Sequence, residues 1–261
     1  MPEFTSYAHG TPCWVDVTSP EIDKSIEFYK GLFGWEAHTA PQPEAGGYTM
    51  FTLRDKYVAA ASPPQQEAMP SHWTTYLASD DVDETATKIR EAGGTVFMDP
   101  FDVFDSGRMT VAQDPTGATF GVWQAGEHIG AQLASEPGTL IWNQCQTNDP
   151  ARAAEFYQAV FGYEIDEMDL GGEQPFRVLK VEGRGIAGVR EPVPEMGDVP
   201  SPVWSTVFAV ADTDETCKLA GELGGTVRIE PFDLPEIGRL AVLQDPVGAV
   251  FQVIKPAPPP S

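Results

Sequence analysis

Apolar residues recur at the start of the chain first with the two-residue period of a strand and then with the longer period of a helix. The segment TPCWVDVTS alternates as a strand does, and apolar residues fall at helical spacing over residues 22–33. Ser19 suits the N-cap of that helix, Pro20 its first position and Gly34 its C-terminal end. The segments YTMFTL and YVAAAS, which follow, are predicted as strands.

The same order of elements then begins again. WTTYLAS is predicted as a strand, and Asp81 with Glu84 resembles a capping box before the helix DETATKIREA. The segments TVFMDPFDV, RMTVAQ and ATFGVWQ are predicted as three further strands. Asp114 and Gly117 stand where a type I turn prefers them, so the last two strands should form a hairpin. The pattern predicts an α+β fold of successive βαβββ units.

The second half of the chain repeats the first half. With a shift of 131 positions, residues 73–122 match residues 204–253 at 25 of 50 positions without a gap. With a shift of 128, residues 10–36 match residues 138–164 at 9 of 27 positions. We therefore predict two copies of one domain, called copy 1 and copy 2 below. The predicted boundaries are residues 1–125 for copy 1, 126–137 for a linker, 138–255 for copy 2 and 256–261 for a proline-rich tail.

The composition, 41% hydrophobic and 21% charged, is that of a globular protein with a buried core. The formal net charge of −23, from 39 acidic and 16 basic residues, argues against nucleic acid and anionic membranes as partners. The first residues do not resemble a signal peptide. Three widely spaced cysteines favour neither a disulfide framework nor a zinc knuckle. We expect a cytoplasmic protein.

The strand, the helix ending in FYKGLFGW and the closing segment DPTGATFGVW together resemble the vicinal oxygen chelate superfamily. Its members include glyoxalase I, bleomycin-resistance proteins and extradiol dioxygenases. The pair GTPCWVDV and GTLIWNQC is similar to tandem actinobacterial members, among them a mycobacterial 27 kDa antigen and proteins found beside antibiotic-biosynthesis oxygenases. The resemblance implies two tandem glyoxalase-like domains, each made of two βαβββ units that form a half-open barrel.

In that superfamily, side chains on the concave face of the barrel, usually His, Glu or Gln, can hold one divalent metal ion. Carried over to this chain, three of the ligand positions fall on Trp14, Thr74 and Gly121 in copy 1 and on Trp142, Ser205 and Gln252 in copy 2. An indole has no lone pair to donate, glycine has no side chain, and an amide with a hydroxyl binds such ions weakly. We therefore predict neither a metal nor another cofactor.

Strand alternation predicts which other side chains share the concave face. The expected ligand-binding residues are Trp14, Thr74, Tyr76, Thr119, Gly121, Trp123 and Arg108 in copy 1, and Trp142, Gln144, Ser205 and Gln252 in copy 2. Gly121 is expected to leave room on the floor of copy 1. Because copy 2 is the more aliphatic, copy 1 is expected to hold the ligand, a flat and partly apolar molecule.

Several of these residues also have a structural interpretation. Trp14 and Trp142 either line a pocket or fill the position of the lost metal. Arg108 either binds a ligand carboxylate or, since Arg239 recurs at the same place in copy 2, has a shared structural role. Purely structural roles are expected for the turn residues Asp114 and Asp245, the helix residues Tyr29 and Tyr157, and Trp73 and Trp204, which should pack beneath a helix or between the copies.

Three functions are compatible with the sequence. The first is a metal-independent binding protein for a planar or aromatic metabolite in secondary metabolism or resistance. The second is a glyoxalase-like lyase or isomerase, or an enzyme acting on an aromatic or polyketide substrate, with His72 and Asp16 as acid/base candidates. Either of those residues could instead have an ordinary packing or hydrogen-bonding role. The third is a structural or interaction protein with closed cavities. A homodimer or a partner biosynthetic enzyme stays open.

Overall fold

The structure, a computed structural model, describes residues 3–66, 69–169, 174–192 and 202–258. Copy 1 contains β1 (Pro12–Thr18), α1 (Ile22–Phe33), β2 (Glu36–Thr39), β3 (Thr49–Leu53), β4 (Lys56–Ser62), β5 (His72–Ala78), α2 (Val82–Glu91), β6 (Thr95–Val96), β7 (Phe101–Val103), β8 (Gly107–Gln113) and β9 (Thr119–Ala125). Copy 2 contains β10 (Leu140–Gln146), α3 (Pro150–Phe161), β11 (Glu164–Met168), β12 (Phe176–Val181), β13 (Arg184–Arg190), β14 (Val203–Ala209), α4 (Thr213–Glu222), β15 (Thr226–Leu234), β16 (Gly238–Gln244) and β17 (Val250–Pro256).

Each copy contributes one open sheet. The strand order is β2-β3-β4-β1-β5-β9-β8-β6 in copy 1, where β7 also pairs with β8, and β11-β12-β13-β10-β14-β17-β16-β15 in copy 2. At the centre, β1 is parallel to β4 and antiparallel to β5, and β10 has the same relation to β13 and β14. The described strands do not close either sheet into a barrel. The predicted α+β fold with two tandem half-open barrels is confirmed.

The helix starts agree with the predictions except in α1. Asp81 caps α2 by accepting the backbone N–H groups of Asp83 and Glu84, and Asp149 caps α3. The prediction of Ser19 as the N-cap of α1 is wrong, because the helix begins only at Ile22. The hydroxyl of Ser19 instead accepts the side-chain hydroxyl of buried Ser25 at 2.8 Å.

One predicted strand of copy 1 is broken. TVFMDPFDV forms the two short strands β6 and β7, whereas its counterpart in copy 2 is the continuous strand β15. In copy 1 the hydroxyl of Thr110 donates to the carbonyl oxygen of Met98 at 2.5 Å, and Ala241 at the matching position of copy 2 cannot make this bond. The side-chain hydroxyl therefore competes with ladder pairing at this point.

The two largest hydrophobic cores combine residues from the two copies. In one core, Phe33 of α1 packs against Phe208 and Phe251 of copy 2, with ring centroids 5.0 and 6.1 Å away. In the other, Phe120 of copy 1 lies 5.4 Å from the ring of Tyr157 in α3. The first βαβββ unit therefore packs on the fourth and the second on the third. Apolar burial joins the copies into one body.

Two buried carboxylates also join the copies. Oδ1 of Asp114 accepts the backbone N–H of Gly117 at 2.9 Å, which confirms the predicted turn role. Its Oδ2 reaches the other copy and accepts the hydroxyl of Tyr157 at 2.8 Å. Asp245 is arranged in the same way and accepts the hydroxyl of Tyr29 at 3.1 Å. We call these two contacts the carboxylate clasps.

Trp73 and Trp204, the second residues of β5 and β14, each donate a hydrogen bond to the tyrosine of a clasp. The indole N–H of Trp73 donates to the hydroxyl of Tyr29 at 2.9 Å, and that of Trp204 donates to Tyr157 at 2.6 Å. All four side chains are buried. The expectation that these tryptophans pack beneath a helix or between the copies is confirmed.

Candidate functional site

The register of the central strands defines the concave face of copy 1. Trp14 pairs with Tyr76, Asp16 with Thr74, and Tyr76 with Gly121. Since paired residues point to the same side of a sheet, these side chains share one face. Strand alternation therefore placed the central residues of copy 1 correctly.

A buried hydrogen-bonded cluster occupies the centre of this face. The indole N–H of Trp14 donates to the hydroxyl of Tyr48 at 3.0 Å, and that hydroxyl donates to Oδ2 of Asp16 at 3.1 Å. The hydroxyl of Tyr76 donates to the same oxygen at 2.9 Å. Trp14 and Asp16 are each only 4% exposed. We call these four residues the Asp16 cluster; Tyr48 was not among the residues expected from the sequence.

The environment of Asp16 makes its carboxyl group easy to protonate. Burial raises the pKa of Asp16 to about 6, although the hydrogen bonds from Tyr76 and Tyr48 act in the opposite direction. Burial and the neighbouring carboxylate raise the pKa of both phenols well above their ordinary value. The cluster therefore contains one group that can exchange a proton near neutral pH and two phenols that stay protonated.

Gly121 does not leave the expected room on the floor of copy 1. A Cβ atom at this position would lie 2.1 Å from the ring of Tyr76, so the tyrosine ring already fills the space above the glycine. Gly121 is required because it lets that ring lie against β9. The expectation of an empty central floor is wrong, since the side chains of copy 1 occupy it.

The linker between the copies covers one end of the same face. The imidazole of His128 lies edge-on to Trp14, with ring centroids 4.6 Å apart, and 5.8 Å from the ring of Trp123. The indole N–H of Trp123 donates to the backbone carbonyl of His128 at 2.8 Å. Burial lowers the pKa of His128 to about 4. Its Nε2 is buried without a hydrogen-bond partner among the described residues. The sequence had offered no reason to single out His128.

Apolar side chains extend this face towards the edge of the sheet. Met109 pairs with both Trp123 and Phe101, and Val111 pairs with Gly121. Phe101 is 38% exposed. The outer part of the copy 1 face therefore stays partly open, although its centre is filled.

The remaining candidates of copy 1 make their polar contacts outside the Asp16 cluster, although the charge of His72 acts to lower the pKa of Asp16. Nδ1 of half-buried His72 lies 2.9 Å from the carbonyl oxygen of Pro70, to which it can only donate. Thr119 is exposed at the start of β9. Arg108 forms ion pairs with Asp83 at 2.9 Å and Asp102 at 3.0 Å.

The same ion pairs recur in copy 2. Arg239 contacts Asp214 at 2.6 Å and Asp233 at 3.1 Å. This equivalence favours the structural interpretation of Arg108, which ties β8 to the start of α2 and to β7. The arginine pKa is raised in both copies by these hydrogen bonds to carboxylates.

The concave face of copy 2 has a different polar floor. Gln144 pairs with Ser205, and Val207 pairs with Gln252. The amide of Gln252 donates to the hydroxyl of Ser205 at 3.0 Å, and the amide of Gln144 lies 3.5 Å from the carbonyl oxygen of Gln252. These three side chains are buried and uncharged. The floor of copy 2 therefore offers amide and hydroxyl groups in place of a carboxylate.

Trp142 is less covered than its counterpart in copy 1. It pairs with Val207, so it belongs to the same face as the amide floor. Trp142 is half-buried, whereas Trp14 is fully buried. Nearby Phe176 is also half-buried, and its ring lies over Gly188, where a Cβ atom would come within 2.4 Å of it. Two aromatic side chains thus border the neutral floor of copy 2.

The described residues do not fit the divalent metal that the fold suggests. No group of three or more His, Cys, Asp or Glu side chains in this part of the chain is arranged to hold an ion. On the copy 1 face, Oδ2 of Asp16 is already bonded to two phenols. On the copy 2 face, the central donors are two amides and one hydroxyl. Such groups are poor ligands for Zn²⁺, Fe²⁺ or Ni²⁺.

Two family profiles match the chain. That of the Glyoxalase/Bleomycin resistance protein/Dioxygenase superfamily matches residues 13–122, and that of the glyoxalase-like domain matches residues 143–254. The chain belongs to this superfamily. The recognised relationship and the tandem arrangement are thereby confirmed. None of the helices in the described ranges is long and apolar enough to cross a membrane.

Relatives of known name match over almost the full length. The candidate glyoxylase CFP32 of Mycobacterium bovis is 46% identical over 99% of both chains. The anthracycline biosynthesis protein DnrV of Streptomyces peucetius is 38% identical over 96% of this chain and 95% of its own. The 2,3-dioxygenase LapB of Pseudomonas sp. KL28 shares the fold with a TM-score of 0.68, covering 98% of this chain and 96% of that chain, at 13% identity.

Proposed function

We propose that the protein binds a planar small molecule on the concave face of copy 2 without a metal ion. The observation that carries this proposal is that the half-buried Trp142 shares its face of the sheet with the neutral floor of Gln144, Ser205 and Gln252. Aromatic walls with a few polar groups are typical of small-molecule sites. This choice reverses the expectation that copy 1 holds the ligand.

The names of two relatives support an aromatic metabolite as the ligand class. DnrV and its counterpart DauV of Streptomyces sp. are anthracycline biosynthesis proteins. A role in the secondary metabolism of aromatic polyketides would suit the flat, neutral surface of copy 2. The strongly acidic chain would also repel anionic ligands more than neutral ones.

Equilibrium dialysis against 1,8-dihydroxyanthraquinone tests the binding function. We expect saturable binding that is weakened in Trp142→Ala and unchanged in Trp14→Phe, a control for the tryptophan that is already covered. Dialysis against EDTA, with elemental analysis of the protein, should leave the affinity unchanged. Loss of binding on metal removal, with recovery on adding one divalent ion, would reject metal independence.

A second candidate function is acid–base catalysis at the Asp16 cluster. It is favoured by the raised pKa of Asp16, because a carboxyl group near pH 6 can accept and return a proton under ordinary conditions. Thr74, paired with Asp16, is half-buried and provides the less covered side of the cluster. In this case Asp16→Asn should abolish turnover of an enolisable aromatic substrate, and His72→Ala should change it little. Equal turnover in Asp16→Asn would exclude this candidate.

A further inference from the structure

We infer that the copy 2 site recognises a carbonyl group attached to a planar ring, through the indole N–H of Trp142. The inference rests on the proposed binding function and names the chemistry of its ligand. The class comprises neutral aryl ketones and quinones, whose carbonyl oxygen lies in the plane of the ring and accepts a hydrogen bond.

Trp142 differs from every other tryptophan of the chain in its hydrogen bonding. The five others each donate their indole N–H within the protein: Trp14 to Tyr48, Trp35 to Gly138, Trp73 to Tyr29, Trp123 to His128 and Trp204 to Tyr157. Trp142 has no such acceptor within the described ranges, and its ring stacks on no other aromatic ring there. An indole usually finds a partner for its N–H when it is buried. Here the donor has no partner among the described residues and the side chain is only half-buried, so the N–H is available to a ligand.

The repeat explains why this donor is unpaired. A shift of 128 positions aligns Trp142 with Trp14 and Phe176 with Tyr48. In copy 1 the phenol oxygen of Tyr48 accepts the indole N–H, and phenylalanine lacks that oxygen. The loss of one oxygen atom in copy 2 therefore leaves a fixed donor where copy 1 has a closed internal bond.

A second substitution removes a ring from the centre of the face. Val207 stands in copy 2 where Tyr76 stands in copy 1, so no phenol ring crosses the centre of the face. Gln252 replaces Gly121 and donates its amide N–H to Ser205. In the inferred complex a flat ligand lies on this face with the edge of its ring towards Trp142.

The amide floor is less selective than the indole. In the chain formed by Gln144, Gln252 and Ser205, rotating both amides by 180° exchanges donors for acceptors and keeps the contacts. The floor can therefore accept or donate to a ligand substituent. The indole N–H can only donate, so the ligand must carry a hydrogen-bond acceptor at the edge of its ring that faces Trp142.

The guanidinium of Arg190 lies at one end of the site, 5.9 Å from the centre of the Phe176 ring. Its Nε donates to the backbone carbonyl of Glu191 at 3.1 Å. This cation therefore lies beside one of the two aromatic rings that border the floor. We assign the carbonyl preference to Trp142 because its indole N–H keeps the position that Trp14 has in copy 1 and lacks the acceptor that Tyr48 provides there.

The test compares 9-fluorenone with fluorene, two flat tricyclic molecules in which the same ring position carries a carbonyl group or a methylene group. Affinities of both for the full-length protein are measured by equilibrium dialysis, and the ratio of the two affinities is the readout. In Trp142→Phe, which keeps an aromatic ring and removes the donor, the preference for fluorenone should fall about fivefold to tenfold, the effect of one hydrogen bond. Trp14→Phe, which changes the covered tryptophan at the same position of copy 1, should leave the ratio unchanged.

The outcomes separate the inference from the binding function. If both molecules bind and the ratio is the same in the original protein and Trp142→Phe, the carbonyl inference is wrong and the binding function stands. If neither molecule binds the original protein, the binding function itself fails. A change of ratio in Trp14→Phe alone would move recognition to copy 1 and overturn the inference. Should Trp142→Phe not fold, Phe176→Tyr provides the same test by supplying an internal acceptor for the indole.

Discussion

The two copies keep the same contacts between them and differ on their concave faces. The clasp residues are identical in both, with Asp114 and Tyr157 matched by Asp245 and Tyr29. Four concave positions are all different: Asp16, Tyr48, Tyr76 and Gly121 of copy 1 become Gln144, Phe176, Val207 and Gln252 in copy 2. The shared fold therefore does not require a particular concave face, which leaves that face free to acquire different functions.

One pair of differences on the concave faces compensates in volume, and another does not. The ring of Tyr76 lies over Gly121, whereas the smaller Val207 stands beside the larger Gln252. Phe176 lies over Gly188 in copy 2, and both residues at the matching positions of copy 1, Tyr48 and Ala60, are larger. Trp14 of copy 1 donates its indole N–H to Tyr48, and Trp142 of copy 2 leaves the same donor for a ligand.

The largest expected effect concerns the carboxylate clasps, the contacts that are the same in both copies. Asp114→Ala and Asp245→Ala should each lower the free energy of unfolding by about 3–5 kcal/mol, because each leaves backbone N–H groups of the turn and a buried phenol without an acceptor. Urea unfolding followed by circular dichroism measures this, and the exposed Asp105→Ala is the control. A loss below about 1 kcal/mol in either variant would show that the clasps do not hold the copies together.

The turn role of these aspartates could be predicted from sequence, and their second role could not. The spacing of Asp114 and Gly117 is a local signal for a turn. The bond to Tyr157 depends on how two units pack, and no pattern within one unit reports it. The fold was predictable because the repeat and the strand alternation are also local or periodic signals.

The centre of the candidate site shows a similar limit. Strand alternation placed Trp14, Asp16 and Tyr76 on one face, and it gave no information on how far each ring reaches across it. The wrong prediction of empty space at Gly121 has this cause. A glycine in the sequence is compatible both with an empty space and with a space that a neighbouring side chain fills. Extending the alignment of the two copies at a shift of 128 beyond residue 36 pairs Tyr48 with Phe176, and this would have brought Tyr48 into the comparison of the two faces. His128 lies in a linker without a counterpart.

The next effect concerns the linker that covers copy 1 alone. The pKa of His128 is lowered from its ordinary value of 6.5 to about 4 by burial. A lowered pKa of a base gives stability that is present above pH 6.5 and lost as the pH falls through 4. The difference corresponds to about 3 kcal/mol. His128→Phe keeps a ring and cannot ionise. Between pH 7 and pH 4 its free energy of unfolding should therefore fall by about 3 kcal/mol less than that of the original protein, as measured by urea unfolding at each pH. Parallel curves for both proteins would contradict the buried position of His128.

The contribution of Asp16 to stability should change with pH in the opposite direction to that of His128, over a similar range of pH. Its pKa is raised from 3.8 to about 6, so the folded protein binds the proton more tightly than the unfolded chain. The resulting stability is present below pH 3.8 and lost as the pH rises through 6, a difference of at most about 3 kcal/mol. Asp16→Asn, which keeps an acceptor for the two phenols, should therefore be more stable than the original protein by about 2–3 kcal/mol at pH 8. This advantage should vanish near pH 4.

Exposed Asp55→Asn provides the matched control for charge removal at the same pH values. A destabilising Asp16→Asn at pH 8 would mean that the carboxylate is stabilised by its neighbours more than burial penalises it. A result with the expected sign would show that copy 1 keeps an ionisable group at a cost which copy 2, with Gln144, avoids. Such a cost is typical of functional groups.

The smallest effect, and the most direct test of the comparison, exchanges one oxygen atom between the copies. Phe176→Tyr places a phenol near Trp142, where it can accept the indole N–H as Tyr48 does in copy 1, so the affinity for 9-fluorenone should fall about fivefold without loss of stability. Tyr48→Phe removes that oxygen from copy 1 and one hydrogen bond to Asp16, which should raise the pKa of Asp16 further. Equilibrium dialysis and the pH dependence of unfolding report the two changes separately. If Phe176→Tyr bound fluorenone as tightly as the original protein, the unpaired indole would not be the reason that copy 2 binds a ligand, and the contrast between the copies would have to lie in Val207 and Tyr76 instead.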